Sequence, residues 1–207
     1  MARAAGIPLV VNYFRRWDSK IRQLAQEFEG LGRPLRVEAV YGKGTRNYGS
    51  HLVNLLSFFF GPIHHVQSES LEIEQRNLPD PSISAVLQLE TGLRASIIGI
   101  DHAGYDLLEI DVYYADRKIT LQAGGISVAT TMATGGIYFP GYAHLDFSNP
   151  TIEHSKVHGL LAAYQEIGQA LETGSHPVTN TGESALETSR VLDAIIASAE
   201  SGKRISL

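Results

Sequence analysis

From residue 63 to residue 131 the chain repeats one pattern: short runs of alternating apolar and polar residues, joined by brief polar links. The runs predict strands at 63–73, 82–89, 93–100, 107–114, 118–122 and 126–131. Thr91-Gly92 is a tight hairpin turn and Ala115-Asp116-Arg117 a second turn. A side-chain period of two puts every second residue on one face, and strands linked so closely pair antiparallel.

Helical patterns flank this block. Asp18 is placed to cap a helix carrying Ile21, Leu24, Ala25 and Phe28 and ended by Gly30. Residues 34–41 alternate as a strand, and a helix opening near Arg46 stops at Gly61-Pro62. Two amphipathic helices follow the strands. One carries Leu160, Leu161, Tyr164, Ile167 and Leu171; the other, after Thr181, carries Leu186, Val191, Ala194, Ile195 and Ala199. Residues 134–150 read as a long loop with edge character, and 205–207 as a short returning strand. The expected fold is α+β, an open and mostly antiparallel sheet with helices packed on one face. Its other face is a plausible oligomer interface, which points to a homodimer or tetramer.

The N-terminus follows another rule. Residues 1–6 read as the tail of a helix closed by Gly6. After Pro8, Leu9-Val10-Val11-Asn12-Tyr13-Phe14 is nearly continuous in apolar residues, as suits a strand buried on both faces of a parallel sheet. No other segment supplies that sheet, so residues 1–16 read as the remnant of a preceding domain and 17–207 as the domain proper.

Composition removes several functions. The formal net charge is −5 and Arg15-Arg16 is an isolated pair, which excludes an electrostatic grip on nucleic acid. The absence of cysteine removes disulfides, thiolate metal sites and cysteine nucleophiles, and fits a reducing compartment. No secretory pattern occurs, and no apolar stretch approaches the roughly 20 residues of a membrane span. A cytoplasmic protein without membrane contact is expected.

Chemistry concentrates in Asn47-Tyr48-Gly49-Ser50-His51, entered through Tyr41-Gly42-Lys43-Gly44. On a helix, Asn47 and His51 share a face where Leu or Ala would be ordinary. Imidazole titrates near working pH and suits proton transfer, although a core histidine bonded to a carbonyl has the same spacing. Lys43 and Arg46, on the approach to this helix, could bind hydroxyls, a carboxylate or a phosphate. His64-His65 cannot readily share an ion, because neighbours on a strand point to opposite faces. His102 follows a strand and could close over a substrate.

Ala5-Gly6-Ile7-Pro8-Leu9-Val10-Val11-Asn12-Tyr13 with Arg15-Arg16, and Gly30-Leu31-Gly32-Arg33-Pro34 leading into Val37, resemble successive segments of the glucose–fructose oxidoreductase / inositol 2-dehydrogenase (Gfo/Idh/MocA) family. The Asn47…His51 helix resembles that family's acid–glycine–histidine signature, and the stretch from Gly174 with Pro177, Thr181-Gly182-Glu183 and Ser198 resembles its closing helix and tail. The resemblance implies the C-terminal, substrate-binding and oligomerisation half of a nicotinamide-dependent oxidoreductase acting on a sugar, cyclitol or related polyol. His51 and Asn47 would be catalytic, and Lys43, Arg46, Arg16 and His102 would bind substrate. NAD or NADP would belong to the full-length protein, with none expected in this fragment: the chain has no G-x-G-x-x-G and no Glu-Lys-Pro before Pro8. The fragment alone is expected to be inactive. Asn47 stands where the family usually has an aspartate, and an amide cannot take up a proton as a base. A non-catalytic binding member of the same fold is the alternative.

Overall fold

A computed structural model describes residues 7–101, 104–136, 139–155, 159–176 and 179–207. The expected helix tail at 1–6 lies outside the described residues. Helix α1 (Ser19–Leu31) starts where Asp18 accepts hydrogen bonds from the N–H groups of Lys20 (2.8 Å) and Ile21 (3.4 Å). It runs one turn-position past Gly30 and closes at Gly32, buries Ile21, Leu24 and Phe28, and leads into β1 (Arg36–Tyr41). Helix α2 (Gly49–Phe60) follows, then β2 (Ile63–Ser68), β3 (Ala85–Leu89), β4 (Arg94–Gly99), β5 (Leu108–Tyr113), β6 (Arg117–Gln122), β7 (Ser127–Gly135), β8 (Ala143–Leu145) and β9 (Thr151–His154). Helices α3 (Gly159–Thr173) and α4 (Gly182–Ser201) precede a short β10 (Ile205–Ser206).

The strands form one open sheet in the order β10-β2-β3-β4-β1-β5-β6-β7-β8, with β9 also pairing β7. Every pair is antiparallel except β1 with β4. The hairpins β3–β4 and β5–β6 are as the alternation requires. The insertion of β1 between them adds the one parallel contact, with Ala39 opposite Ile97 on one side and Ile110 on the other.

One sheet face is apolar. Val37, Ala39, Ala95, Ile97, Ile110 and Val112 lie at or below 2% exposure, and α2 and α4 cover them through Leu52, Leu55, Leu56, Val191 and Ile195. Each fully buried Leu or Ile contributes about 1.5–3 kcal/mol relative to exposure. The opposite face carries Arg36, Glu38, Asp111, Lys118 and Thr120, where Lys118 Nζ pairs with Asp111 at 2.8 Å.

Three expected elements differ. Strand β2 ends at Ser68, because α4 takes over the backbone there: Ser68 N–H donates to Ser198 Oγ (2.9 Å) and Ser68 Oγ to the Ile195 carbonyl (2.8 Å). The 134–150 stretch holds the end of β7 and all of β8. Residues 9–14 form no strand. Val10 makes a single bridge to Thr181, Leu9 stays 56% exposed, and Phe14–Trp17 coils into a 3-10 turn against α3. An apolar run pairs only where a neighbouring strand offers its edge, and the described sheet offers none to this one.

Candidate active site

The site is built where β1 ends. Tyr41, fully buried, donates its hydroxyl to the Ile83 carbonyl (2.8 Å) and lies 2.9 Å from Thr45 Oγ1. Lys43 adopts a left-handed conformation, and Gly44 follows at φ 90°, a region glycine enters without cost. A Cβ at Gly44 would also collide with the Asp80 carboxylate at 2.2 Å. That carboxylate accepts from the N–H groups of Arg46 (2.9 Å) and Asn47 (3.1 Å), so it anchors the wide turn Gly44–Tyr48. Negative charge is favourable at such a helix start. Only after this π turn does α2 begin, which puts His51 in its opening turn and leaves Asn47 exposed on the turn itself.

His51 is half-buried in an aromatic collar. Its ring lies 5.4 Å from Tyr13, 5.8 Å from Phe14 and 6.3 Å from Tyr48, all edge-on. Nδ1 is buried and has no hydrogen-bond partner among the described residues. Burial, reinforced by the Arg15 cation, pushes the imidazole down to about 4, so the ring is neutral at working pH. No carbonyl among the described residues holds Nδ1 as one would in an ordinary core histidine.

Phe14 and Tyr48 continue from this collar into a cavity of about 350 Å³, walled also by Arg15, Asp18, Asp106, Gly124, Gly125, Ile126, Ser155 and Gly159. Arg15 is 7% exposed. Its Nε donates to the Gly124 carbonyl, and its guanidinium lies over the rings of Phe14 (4.7 Å) and Tyr48 (5.7 Å). Gly124 sits at φ 67°, and a Cβ there would press on Arg15 Nη2 at 3.1 Å. A cavity of larger volume, about 640 Å³, lies away from His51 between α1 and the end of α2. The smaller one is the candidate site: Arg15 lines it, and its wall shares Phe14 and Tyr48 with the collar around His51, which lies behind those rings rather than in the wall itself.

The residues singled out from the sequence are distributed unevenly. Lys43 pairs with Asp106, which lines the cavity, and lies 5.6 Å over the Tyr48 ring. Arg46 turns to α4 and pairs with Asp193 at 3.0 Å. Arg16 packs over Phe58 at 4.6 Å and lines the larger cavity instead. Asn54 Nδ2 donates to Thr188 Oγ1 (3.1 Å) and ties α2 to α4. His102 lies outside the described residues. His64 and His65 stack at 4.5 Å, brought together by an irregularity in the β2–β3 register, yet no cluster of metal-ligating side chains occurs among the described residues. Sequence reading did not single out Asp80 or Tyr48. The Pro79-Asp80-Pro81 triplet, an acid held between two stiff residues, was the available signal for the first.

No protein-family profile and no curated protein sequence matches the chain. Solved structures do. A putative NADPH-dependent oxidoreductase from Desulfitobacterium hafniense superposes with a TM-score of 0.79 at 13% identity, over 99% of this chain and 66% of that one. The WlbA dehydrogenase from Bordetella pertussis, solved with NADH and UDP-GlcNAcA, gives 0.71 at 19% identity, over 99% and 64%. A super-repressor mutant of Gal80p from Saccharomyces cerevisiae gives 0.73 at 13% identity, over 99% and 66%. The chain thus spans about two thirds of the length of the structures it matches. Likeness at this identity establishes architecture: the chain has the fold of the C-terminal domain of Gfo/Idh/MocA-type oxidoreductases.

Proposed function

We propose that this chain is the substrate-binding and oligomerisation part of a nicotinamide-dependent oxidoreductase acting on a sugar, cyclitol or related polyol. The observation that carries the reading is His51, a neutral, half-buried imidazole with an unpartnered nitrogen, set beside a cavity. Oxidising a secondary alcohol requires a group that receives the hydroxyl proton, and only a neutral ring can do so. The aromatic collar limits water around that ring, and the Asp80-anchored turn fixes its direction. Asn47 and Lys43 would orient neighbouring hydroxyls, the first through its amide and the second through its ammonium. Arg46 and Arg16 would contribute only after leaving Asp193 and Phe58. NAD or NADP would supply the hydride acceptor, carried by a separate dinucleotide-binding domain. Residues 7–16 would form the junction to that domain. The polar sheet face, with Val86 and Ile98 exposed among its charges, would join copies of the chain.

The test is nicotinamide reduction by the two-domain protein with a panel of sugars, sugar acids and polyols. Turnover of any member is expected. No turnover, together with retained sugar binding, would instead establish the second reading, a non-catalytic binding protein, which the amide at Asn47 in place of an acid favours.

A further inference from the structure

The cavity beside His51 contains a charge that the reaction outlined above does not use. Arg15 is always protonated under working conditions, and a buried cation without a partner is costly. Its Nε is spent on Gly124, while Nη1 has no partner among the described residues. Neither carboxylate in the cavity wall answers it. Asp18 accepts from Lys20, Ile21 and Ser155, and Asp106 pairs with Lys43. The rings of Phe14 and Tyr48, with a hydrogen bond to the Tyr48 side chain, hold the guanidinium in place but bring no formal negative charge to it. Gly124, without a side chain, leaves room beside Nη2.

We propose that this cavity receives an anionic group of the substrate, a carboxylate or a phosphate, on the Arg15 guanidinium, and that the preferred substrates are acidic sugars or sugar phosphates rather than neutral polyols. This rests on the reading of His51 as the group at the reacting hydroxyl. The collar residues Phe14 and Tyr48 touch both groups, which brings the imidazole close to the cavity that holds the cation. At about 350 Å³ the cavity admits an oxyanion and part of a sugar ring. Nδ1 of His51 and Nη1 of Arg15 are the two orphaned nitrogens flanking this route. An anion between them would compensate Arg15 and, by opposing its field, raise the imidazole toward its ordinary value.

Binding and turnover are measured separately on the two-domain protein, with glucuronate, glucose 6-phosphate and glucose as probes. Calorimetry is expected to show at least roughly tenfold tighter binding of one charged probe than of glucose, as one charge-assisted contact supplies. Which charged probe binds distinguishes carboxylate from phosphate. Arg15→Gln is expected to abolish that preference. Ile126→Asp, which adds a negative charge to the exposed rim and leaves Arg15 intact, is expected to weaken the charged probe alone, with Ile126→Asn as the control for shape. Equal binding of all probes, or a preference that survives Arg15→Gln and Ile126→Asp in folded protein, overturns the proposal. Turnover of glucose without charge preference would overturn it and leave the oxidoreductase reading standing. Arg15-dependent binding without any turnover would do the reverse.

Discussion

Tyr41 and Arg15 are both buried polar residues, one under the helices and one in the cavity beside His51, yet their surroundings follow different rules. The Tyr41 hydroxyl has a carbonyl and a hydroxyl within 2.9 Å, and burial pushes it up to about 12 with both partners in place. Around it the sheet face is packed by Leu52, Leu55 and Leu56. Arg15 is held by the Gly124 carbonyl and the Tyr48 side chain, yet its Nη1 has no partner among the described residues and no carboxylate of the cavity wall pairs with it. Its neighbour His51 has an orphaned nitrogen too, and Asn180, which donates to the Tyr13 carbonyl at 2.8 Å, keeps an unpartnered Oδ1. Structural regions satisfy their buried polar groups, and the exceptions call for an explanation. Among the described residues Arg15, His51 and Asn180 lie around residues 13–15 and the start of α2, where on our reading a ligand would supply a partner; Arg16 Nε, Asn54 Oδ1 and Tyr114 Oη are exceptions outside that cavity.

The contrast can be broken first from the structural side. Leu55→Ala opens a void under the sheet and is expected to cost about 2–5 kcal/mol in denaturant unfolding. A loss below about 1 kcal/mol would mean that the covered face is not the close-packed core described.

His51 gives the next largest effect, and it depends on pH. Its folded value is depressed from 6.5 to about 4. Below pH 6.5 the unfolded chain binds a proton at this ring that the folded chain refuses, so stability is full above 6.5 and falls as the pH drops toward 4. Discounted for partial exposure, the loss is on the order of 2 kcal/mol. His51→Asn should remove that part of the pH dependence, read as the difference between the two unfolding curves.

Tyr41→Phe leaves the Ile83 carbonyl short of a donor and is expected to cost about 1–2 kcal/mol. Thr45 Oγ1 keeps the Pro81 carbonyl (2.7 Å) and the Ile83 N–H (3.0 Å), so the turn before α2 should hold and binding at the cavity should change little. Arg15→Met, the opposite case, removes an uncompensated cation from a buried place. Stability within about 1 kcal/mol of the parent, or above it, is expected, with charged-ligand binding lost. A large loss of stability in that variant would reassign Arg15 to the structural region and erase the contrast.

Much of the architecture was legible because it is local. Asp18 and Gly202 mark helix ends by side-chain acceptance and a left-handed turn, and alternation alone finds β3 to β7. The insertion of β1 between β4 and β5 was not legible, since its apolar residues would suit either neighbour and pairing is decided by the whole sheet. The apolar run at 9–14 has strand composition without a strand partner. At the site, Asn47 and His51 stood out as polar residues in an otherwise apolar stretch, but only His51 lies on α2; Asn47 sits on the turn before it, so the shared helical face expected from the spacing is not formed. The preference for Arg16 over its neighbour had no such support: adjacent arginines look alike in sequence, and Arg15 is drawn inward by the Gly124 carbonyl, which is remote along the chain. Burial of a long charged side chain depends on where such a distant carbonyl ends up.

The central claim, that the ring of His51 serves the reacting hydroxyl, is tested most directly by steady-state turnover of His51→Ala against the parent two-domain protein at saturating substrate. A fall in kcat of about 10²–10⁴-fold with the fold intact is the expected result, the range general acid–base groups supply. A fall of less than about tenfold would contradict it.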